Sequence, residues 1–396
     1  MEELTGKTLV FTDQHFGVKG NSLLRQRIGA LVIKKILDAV DRDSISNIIF
    51  CGDYFHQRNA VTVDTLNIAY KCLQALAKKC KVYMILGNHD LFNKNSTDVS
   101  SVNIFKDNPS IFIISAPEEV VLNGKLALLV PWLSDLSMFK ASAYDFMFGH
   151  FDISSKFLIS SYVQEHSRSA KASTSIANEL SKSITPEGAQ YALADTIGDF
   201  VELAKLNGTI FAGHIHQHKE MTSKGRKFIF IGSPYQQNLG DIGSKCGFYV
   251  IDEHGDYAFN EIDGIPKHVQ FKSSDIIKTG INNFDFSAAQ GNIVQKVYDV
   301  DISMEDELEV NKKIASFKPY EELLPDYQVA LDFTKATETS QDSLVMKLKK
   351  SKLSYIESYI EQLDNKVLDD VKIDRAKLLA VMKCYYEKAV GEGDEV

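Results

Sequence analysis

Short apolar runs rich in β-branched residues alternate with longer helical patterns over the first two thirds of this 396-residue chain. The helical stretches 23–40 and 61–77 repeat apolar residues three and four positions apart, as Leu24, Ile28 and Leu31 do in the first. Such alternation is typical of a layered α/β domain in which helices cover a sheet, and it predicts one over residues 1–263. Its strands are expected at Thr8–Thr12, Asn47–Cys51, Val82–Leu86, Leu126–Val130, Tyr144–Phe148, Thr209–Ala212, Phe228–Ile231 and Phe248–Ile251.

The pattern changes after Gly264-Ile265-Pro266, where a glycine and a proline interrupt the alternation. Residues 264–335 are predicted to form a small α+β unit. Within it we expect a strand, a helix and a second strand, near 293–302, 304–317 and 327–333. Residues 336–396 are predicted to be a polar linker followed by two amphipathic helices, at about 344–363 and 375–389.

One segment of the first domain has a biased composition. Ten of the thirty residues from Ser154 to Ser183 are serine. The segment lies between two of the motifs described below, so it emerges near their common rim. We expect the segment either to shape the access of substrate to the site formed by these motifs or to be a surface loop without a role.

Composition narrows the class of protein. No window reaches the roughly 18 uninterrupted apolar residues of a membrane span, and the first residues lack the basic and then apolar order of a secretory signal. The five cysteines are scattered without a C-x-x-C pair, which predicts reduced thiols in a cytoplasmic protein. A net charge of -9 argues against coating of nucleic acid by bulk attraction, although carboxylates that bind divalent cations would reverse the local field.

Several predicted strands end in the same way, at a short loop that begins with possible metal ligands. Because side chains just past the carboxyl ends of strands in an open α/β sheet converge on one crevice, we expect these residues to meet. A single Asp-x-His or Gly-His is more often a capped turn or a surface histidine, but five such signals in order are unusual. Oxygen and imidazole ligands without thiolate favour Mn, Fe or Zn over a cysteine zinc site. The residues are Asp13, His15, Asp53, Asn88, His89, Asp90, His150, His214 and His216.

These motifs resemble the signature of calcineurin-like metallophosphoesterases. The matching segments are D-x-H-x-G at 13–17, GDYFH at 52–56, GNHD at 87–90, GH at 149–150 and GHIH at 213–216. His56, Arg58 and the later GSPYQQNLGD at 232–241 are similar to the DNA-repair nuclease branch of the SbcD, or Mre-eleven, type, including its small phage-encoded members. The resemblance implies an α/β fold: a β-sandwich flanked by helices, then a small α+β capping domain and C-terminal helices. A phage-encoded member would work in the cytoplasm of its host.

The resemblance also implies two divalent metal ions, expected to be Mn²⁺ with Mg²⁺ as the alternative. Asp53 would bridge them through its two carboxylate oxygens. One ion would be completed by Asp13, His15 and His216, and the other by Asn88, His150 and His214. Two ions so placed activate a water and clamp the phosphoryl oxygens of an in-line displacement.

Three further residues are expected to assist rather than to bind metal. His89 would stabilise charge on the phosphorus or protonate the leaving oxygen. His56 would orient or assist it, unless it is a surface histidine beside the site. Asp90 would hold an imidazole by a hydrogen bond behind the ligands.

Basic residues near these loops are candidates for contacts with a DNA backbone. Each alone is more often a solvated surface charge, so the prediction rests on Arg58 and on the 224–227 hairpin as a group. The full set is Lys19, Arg25, Arg27, Arg58, Lys94, Lys224, Arg226 and Lys227.

Three functions compete. The first is a metal-dependent DNA nuclease for repair and recombination, a 3' to 5' exonuclease and endonuclease working with an SbcC-like ATPase bound by the C-terminal helices. It would form a homodimer through helices 23–40 and 61–77, where Ile33, Ile36 and Leu37 widen the apolar stripe, unless both helices are simply buried within the domain. The second is a phosphoesterase acting on small phosphate esters or phosphoproteins. The third is a non-catalytic scaffold, which the complete ligand set argues against.

Overall fold

Two β-sheets pack face to face, and two long helices cover the outer face of one of them. The structure, a computed structural model, describes residues 1–93, 96–132, 144–150, 208–223 and 226–327. The predicted serine-rich segment, the linker and the two C-terminal helices lie outside these residues, as do Lys94 and Lys224.

The six-stranded sheet contains the first three motif-bearing strands. In spatial order its strands are β15 (Tyr257–Glu261), β14 (Gly247–Ile251), β2 (Lys7–Phe11), β3 (Ile45–Phe50), β4 (Lys81–Ile85) and β7 (Ile111–Ile114). Alternate residues of β2 point to opposite faces of the sheet. Leu9 and Phe11 pack against the helices, while Val10 packs against the other sheet. This is the period-two pattern of a strand that is buried on both faces.

The seven-stranded sheet closes the sandwich from the other side. Its strands are, in order, β1 (Glu2–Leu4), β8 (Glu118–Leu122), β9 (Lys125–Val130), β10 (Phe146–His150), β11 (Thr209–Gly213), β13 (Arg226–Phe230) and β12 (Lys219–Ser223). Leu129, Phe148 and Phe211 meet Val10 and Ile49 of the first sheet in one buried cluster. A two-stranded hairpin, β5 (Leu91–Asn93) with β6 (Ser96–Ser100), follows β4.

Two helices cover the six-stranded sheet. A distorted turn, α1 (Val18–Asn21), leads into α2 (Leu23–Asp43), and α3 (Val63–Ala77) begins at Thr62, whose side chain accepts a hydrogen bond from the Thr65 amide. Such a cap satisfies one of the amides that a helix start leaves without a partner.

The C-terminal part of the described chain has its own small sheet and core. Strand β17 (Ile293–Tyr298) runs parallel to β16 (His268–Lys272), β18 (Glu321–Glu322) and β19 (Asp326–Tyr327). Two helices, α4 (Ser273–Thr279) and α5 (Met304–Ser316), complete this part. Three acidic residues occupy the first turn of α5, where they stabilise the positive end of the helix dipole. Together residues 1–327 form one compact unit.

The predicted α/β sandwich is confirmed, and each of its eight expected strands is present within a few residues. Tyr144–Phe148 is displaced, because the strand is Phe146–His150 and His150 is its last residue rather than part of a loop. The strands missed by the sequence analysis are short. Several of them, such as β1, β12 and β15, are the outermost strands of their sheets. A strand that is partly exposed to solvent does not need a long apolar run. The domain boundary at residue 264 stays a prediction.

None of the helices in the described part of the chain combines the length and the apolar character of a membrane crossing. Cys51, Cys72, Cys80 and Cys246 are free thiols.

Candidate metal centre

The motif residues meet at one edge of the sandwich because their strands run in the same direction. β2, β3 and β4 are parallel in one sheet, and β9, β10 and β11 are parallel in the other. The carboxyl ends of these strands therefore open onto a common crevice. Asp13 follows β2, Asp53 follows β3, Asn88 follows β4, His150 ends β10, and His214 follows β11.

Four of the predicted ligands have left-handed backbone conformations. Asp13, His15, Asp53 and His214 have φ angles of 53°, 48°, 63° and 83°. This region is unfavourable for residues other than glycine, and it persists only where the surroundings enforce it. Such strain concentrates at functional sites, which supports a shared task for these four residues.

Glycines in the motifs allow the loops to approach one another. A side chain at Gly87 would overlap the carboxylate and amide of Asp53, and one at Gly52 would overlap the imidazole of His150. At Gly213 it would meet the Thr12 hydroxyl and the Cys51 carbonyl. These glycines are therefore required by close packing behind the ligands.

The first predicted ligand group comes together around Asp13. Atoms of Asp13, His15 and His216 lie within 4.8 Å of one another. Oδ2 of Asp13 accepts a hydrogen bond from the His214 amide at 3.1 Å, whereas Oδ1 is buried without a hydrogen-bond donor. Oδ1 lies 3.5 Å from Nε2 of His15 and 3.7 Å from Nε2 of His216. The two imidazole nitrogens are themselves 3.2 Å apart.

The second predicted ligand group surrounds His150. Its Nδ1 donates to the Cys51 carbonyl at 2.8 Å, so the ring would present an Nε2 lone pair to the site once that nitrogen loses its proton. Nε2 lies 3.3 Å from Oδ2 of Asp53 and 2.9 Å from Oδ1 of Asn88, which is 3.1 Å from Nδ1 of His214. Asp53, His150 and His214 have ligand atoms within 4.8 Å of one another.

Asp53 stands between the two groups, and its two oxygens have different surroundings. Oδ1 accepts a hydrogen bond from the His89 amide at 2.7 Å. Oδ2 alone faces both groups, 3.5 Å from Nε2 of His15 and 3.3 Å from Nε2 of His150. A carboxylate oxygen that accepts one hydrogen bond keeps a second lone pair, so the expectation that each oxygen of Asp53 holds one ion stays a prediction.

A divalent cation in each group fits these residues. The converging atoms at Asn88 would also be satisfied if its amide were rotated, so that the nitrogen donated to His150 and His214 and the oxygen accepted from Arg58. Rotation of the Asn88 amide would not supply a hydrogen-bond donor to Oδ1 of Asp13, which is buried beside His15 and His216. Cations explain both groups, because carboxylate, amide oxygen and imidazole are all ligands for Mn²⁺ and similar ions.

The charges of these groups depend strongly on one another. Burial opposes the charged form of His150, but the adjacent Asp53 carboxylate raises the pKa of His150 to about 9. Burial and the neighbouring His150 lower the pKa of His214 to about 3. A cation in the second group would therefore compete with a proton on His150.

His89 and His56 form a further group with His15, whose ligand atoms lie within 4.8 Å of one another, but this group contains no carboxylate and the resemblance assigns neither His89 nor His56 as a ligand. Nδ1 of His89 donates to the backbone carbonyl of His56 at 2.7 Å, and the His89 ring stacks on that of His56 with centroids 5.3 Å apart. Its ring centroid is 5.0 Å from that of His15. Burial and repulsion from His15 and His89 lower the pKa of His56 to about 4, so the His56 ring is neutral. His56 thus orients His89 through its carbonyl group.

The expected role of Asp90 is corrected. Its carboxylate accepts backbone N–H groups of Gly87, Asp53 and Tyr54 at 3.0, 2.8 and 2.9 Å, and no imidazole contact is seen for it among the described residues. Asp90 therefore holds the Asp53 loop against the Asn88 loop through the main chain. It fixes the strained conformation of Asp53.

The GSPYQQNLGD segment positions the Asp13 loop. Gln237 donates to the Asp13 carbonyl at 2.6 Å, and the Tyr235 hydroxyl donates to the Gln14 carbonyl at 3.2 Å. Gln236 accepts the His268 amide at 2.7 Å, which ties this segment to β16. The motif therefore supports the ligands, a role that the sequence analysis did not assign.

Of the basic residues, Arg58 is close to the ligands. Its terminal NH2 lies 3.2 Å from the Asn88 amide. Arg25, a candidate on which the prediction did not rest, is buried beside Glu321 at 3.0 Å and His268 at 3.3 Å, at the junction with the C-terminal sheet. Lys19 and Arg27 are exposed.

The positions of Arg226 and Lys227, the described residues of the 224–227 group, argue against a DNA contact at this site. Lys227 pairs with Thr209, the first residue of β11, and so lies at the end of the sheet opposite the metal centre. Its ammonium forms an ion pair with Glu220 at 2.8 Å and sits over the Tyr257 ring. Arg226 begins β13 at the same end of the sheet.

One aromatic residue at this edge was missed. Trp132 follows β9, and its ring centroid is 5.2 Å from that of His214. The signal that would have found it is its place after an apolar strand, LALLV, in the same position as the ligand motifs.

Known proteins are similar to this chain in sequence. The calcineurin-like phosphoesterase family matches residues 6–218, more than half of the chain. Exonuclease subunit 1 of Enterobacteria phage T4 is 24% identical over 254 residues, which are 62% of this chain and 64% of that protein. The putative phosphoesterase 078R of Invertebrate iridescent virus 3 is 26% identical over 127 residues, 32% of this chain and 35% of that protein. The chain thus spans less than two thirds of the length of either relative. With its fold and motifs as described, this chain belongs to the calcineurin-like phosphoesterase family.

Proposed function

We propose that this chain is a metal-dependent DNA nuclease, which cleaves phosphodiesters as a 3' to 5' exonuclease and an endonuclease. The observation that carries this proposal is the convergence of seven ligand candidates on two adjacent groups, with Asp53 between them and His89 beside them. The name of the phage T4 relative, an exonuclease subunit, supports DNA as the substrate.

The protein residues have separable tasks in this reaction. Bound divalent ions, expected to be Mn²⁺ with Mg²⁺ as the alternative, would supply a nucleophilic water at neutral pH and positive charge for the phosphoryl oxygens. His89 faces the same space, and with Nδ1 committed to the His56 carbonyl only Nε2 is available to give a proton to the leaving oxygen. Arg58, next to Asn88, is placed to bind a non-bridging phosphate oxygen.

The alternative within the family is an enzyme for small phosphate esters or phosphoproteins. Arg58 and the stacked pair of His56 and His89 favour a phosphodiester flanked by further phosphates, because they add donors beyond those that hold the metal. The full-length protein should be assayed in Mn²⁺ and in Mg²⁺ with 5'-labelled and 3'-labelled linear and hairpin DNA, beside p-nitrophenyl phosphate. We expect the labelled strands to be shortened. Hydrolysis of the small ester without any cleavage of DNA would contradict the proposal.

An ATPase partner is proposed for the C-terminal region. The word subunit in the name of the phage T4 relative supports an assembly, and the amphipathic pattern of residues 344–389 suits binding to the root of an SbcC-like coiled coil. Such an assembly would act in double-strand-break repair and recombination, and in the host cytoplasm if it is phage-encoded.

Deletion of residues 341–396 should separate cleavage from partner binding. Because residues 1–327 form a compact unit that contains the whole metal centre, we expect the truncated protein to retain Mn²⁺-dependent cleavage of single-stranded DNA. Complex formation with the ATPase and ATP-stimulated processing of duplex ends should be lost. Both are measured by co-purification and by cleavage with and without ATP. Retained co-purification and stimulation would exclude this role for the tail.

A homodimer is also proposed, but on different residues from those expected. Ile33 and Ile36 are buried in the domain core, so they cannot form an interface. On α3, however, Val63, Leu66 and Tyr70 share one face and are 83%, 37% and 47% exposed. A second copy of this face would bury them.

Replacement of Tyr70 by Glu should therefore dissociate the dimer, since it places a charge in an apolar interface. Sedimentation of wild-type protein at micromolar concentration should give twice the 44.3 kDa chain mass, and the variant should give a single chain mass. Lys71→Glu, at an exposed position next in α3, is the control and should remain dimeric. A wild-type protein of single-chain mass would contradict the interface.

A further inference from the structure

Trp132 stands at the edge of the sandwich where the metal centre lies. It follows β9 by two residues, and its amide donates to the Leu86 carbonyl at 2.9 Å, just beyond the end of β4. This hydrogen bond joins the two sheets and fixes the backbone of Trp132. The residue is the single tryptophan of the chain.

The indole ring flanks the second ligand group. Its centroid lies 5.2 Å from that of His214 and 5.9 Å from that of His150. The planes are inclined by 42° and 65°, so neither imidazole lies parallel on the indole. The side chain is half-buried and packs against the helix-side core. The ring is therefore held firmly while part of it remains accessible.

An indole at this position can interact only weakly with a phosphate group. It carries no charge, and its one polar group is a single N–H donor. The chemical groups next to a phosphodiester in a nucleic acid are the sugar and the base, and a base presents a flat π-face that stacks on aromatic side chains. The partner that suits Trp132 is thus a nucleobase next to the phosphate under attack.

We propose that Trp132 is a base-stacking platform, on which a nucleobase of the substrate rests while its phosphodiester lies in the metal centre. This inference rests on the proposed nuclease function and specifies how that function selects a nucleic acid over other phosphate esters. Every base has a π-face, so the platform selects for the presence of a base and tolerates any sequence.

Tryptophan fluorescence, excited at a wavelength that the tyrosines do not absorb, tests the contact directly, because Trp132 is the single tryptophan of the chain. Full-length protein in saturating Mg²⁺ is titrated with thymidine 5'-monophosphate and, separately, with 2-deoxyribose 5-phosphate. We expect saturable quenching by the nucleotide, because the stacked base perturbs the indole, and a much smaller response to the sugar phosphate. Equal responses to the two probes, or no response to the nucleotide, would overturn the proposal.

Substitution separates stacking from a structural role. Stacking of one base strengthens binding by about 5- to 150-fold, so Trp132→Leu should raise the KM for oligo(dT) by a factor in that range, and Trp132→Phe should recover part of it. An oligonucleotide with abasic sites at the cleaved positions should show a high KM with the wild type and no further rise in the variants. Bound Mn²⁺, measured by elemental analysis, should be unchanged in both variants.

The remaining outcomes also decide between the proposals. Loss of Mn²⁺, or an equal fall of kcat on base-bearing and abasic substrates, would show that Trp132 only packs against His150 and His214. Either result would overturn the stacking role. Unchanged KM for oligo(dT) in Trp132→Leu would do the same. A wild-type protein that cleaves neither substrate would refute the nuclease function, and the nucleotide titration would then decide the stacking role alone.

Discussion

Asp53→Asn should abolish the binding of both metal ions and, with them, nuclease activity. Oδ2 of Asp53 is the atom that faces both ligand groups, 3.5 Å from Nε2 of His15 and 3.3 Å from Nε2 of His150. An amide in its place has no net charge to hold two dications together. Loss of a residue behind a metal ligand already costs about 10- to 100-fold in metal affinity or activity, and loss of the shared ligand should cost more. Elemental analysis and cleavage of labelled DNA measure the two effects.

The fold should survive this substitution. Asparagine tolerates the left-handed conformation that Asp53 adopts, with φ of 63°, better than alanine would. Its side-chain oxygen can still accept the His89 amide, and the bond from the Asp53 amide to Asp90 is untouched. The melting temperature in EDTA should therefore stay close to that of the wild type.

Thermal stability in the presence of Mn²⁺ gives a readout that is independent of catalysis. A ligand at 100 times its Kd stabilises a folded protein by about 2.7 kcal/mol, so the wild type should melt at a higher temperature in Mn²⁺ than in EDTA. Asp53→Asn should show no such rise, whereas Asp256→Asn, at an exposed turn, should behave as the wild type. Near-normal cleavage or a full Mn²⁺ shift in Asp53→Asn would refute the shared-ligand role.

The meeting of the motif residues at one edge of the sandwich could be predicted from the sequence, because it depends on strand order and polarity alone. Apolar runs followed by Asp, Asn or His mark the carboxyl ends of buried strands, and parallel strands bring those ends to one edge. The sequence could not show that His150 ends its strand, since strand limits depend on the pairing partners. It also could not show the left-handed conformation of four ligands, because Asp and His adopt it more often than most residues but only where the surrounding structure enforces it.

The errors about α2 have one physical cause. Ile33 and Ile36 widened its apolar stripe, and Arg25 was read as a surface charge. In the structure the helix is covered on two sides, by the six-stranded sheet and by residues of the C-terminal sheet such as Ile293. The Tyr320 hydroxyl donates to the Leu24 carbonyl at 3.0 Å, and Arg25 reaches Glu321. A helix pattern records how much of its surface is buried, but not which part of the chain buries it.

The supporting residues were also beyond sequence reasoning. Asp90 and Gln237 both act on main-chain atoms, of Asp53 and Asp13, and a contact with a backbone group leaves no recognisable residue pair in the sequence. Trp132 belongs to none of the motifs. The roles of Asp90, Gln237 and Trp132 all depend on which loops meet at the site, and only the folded chain shows this.

His89→Gln should leave metal and DNA binding intact while it slows cleavage by about 100- to 10,000-fold, the usual cost of losing a general acid. The backbone amide of His89, which donates to Asp53, is unaffected by a change of side chain. Glutamine can replace the hydrogen bond from Nδ1 to the His56 carbonyl, but it has no proton to give at the position of Nε2. Single-turnover cleavage of labelled DNA, with DNA affinity measured in Ca²⁺, separates the chemical step from binding.

The matched control is His254→Gln, because His254 is exposed in a turn and should have no effect on rate. His56→Gln provides a second comparison, since His56 acts on His89 through a carbonyl that the variant retains. The variant loses the ring, which stacks on His89 at 5.3 Å and has Nδ1 3.4 Å from Nδ1 of His15. Its loss of rate should therefore be smaller than that of His89→Gln. If His89→Gln lost bound Mn²⁺ together with activity, His89 would be a metal ligand, and the proton would have to come from water or from another residue.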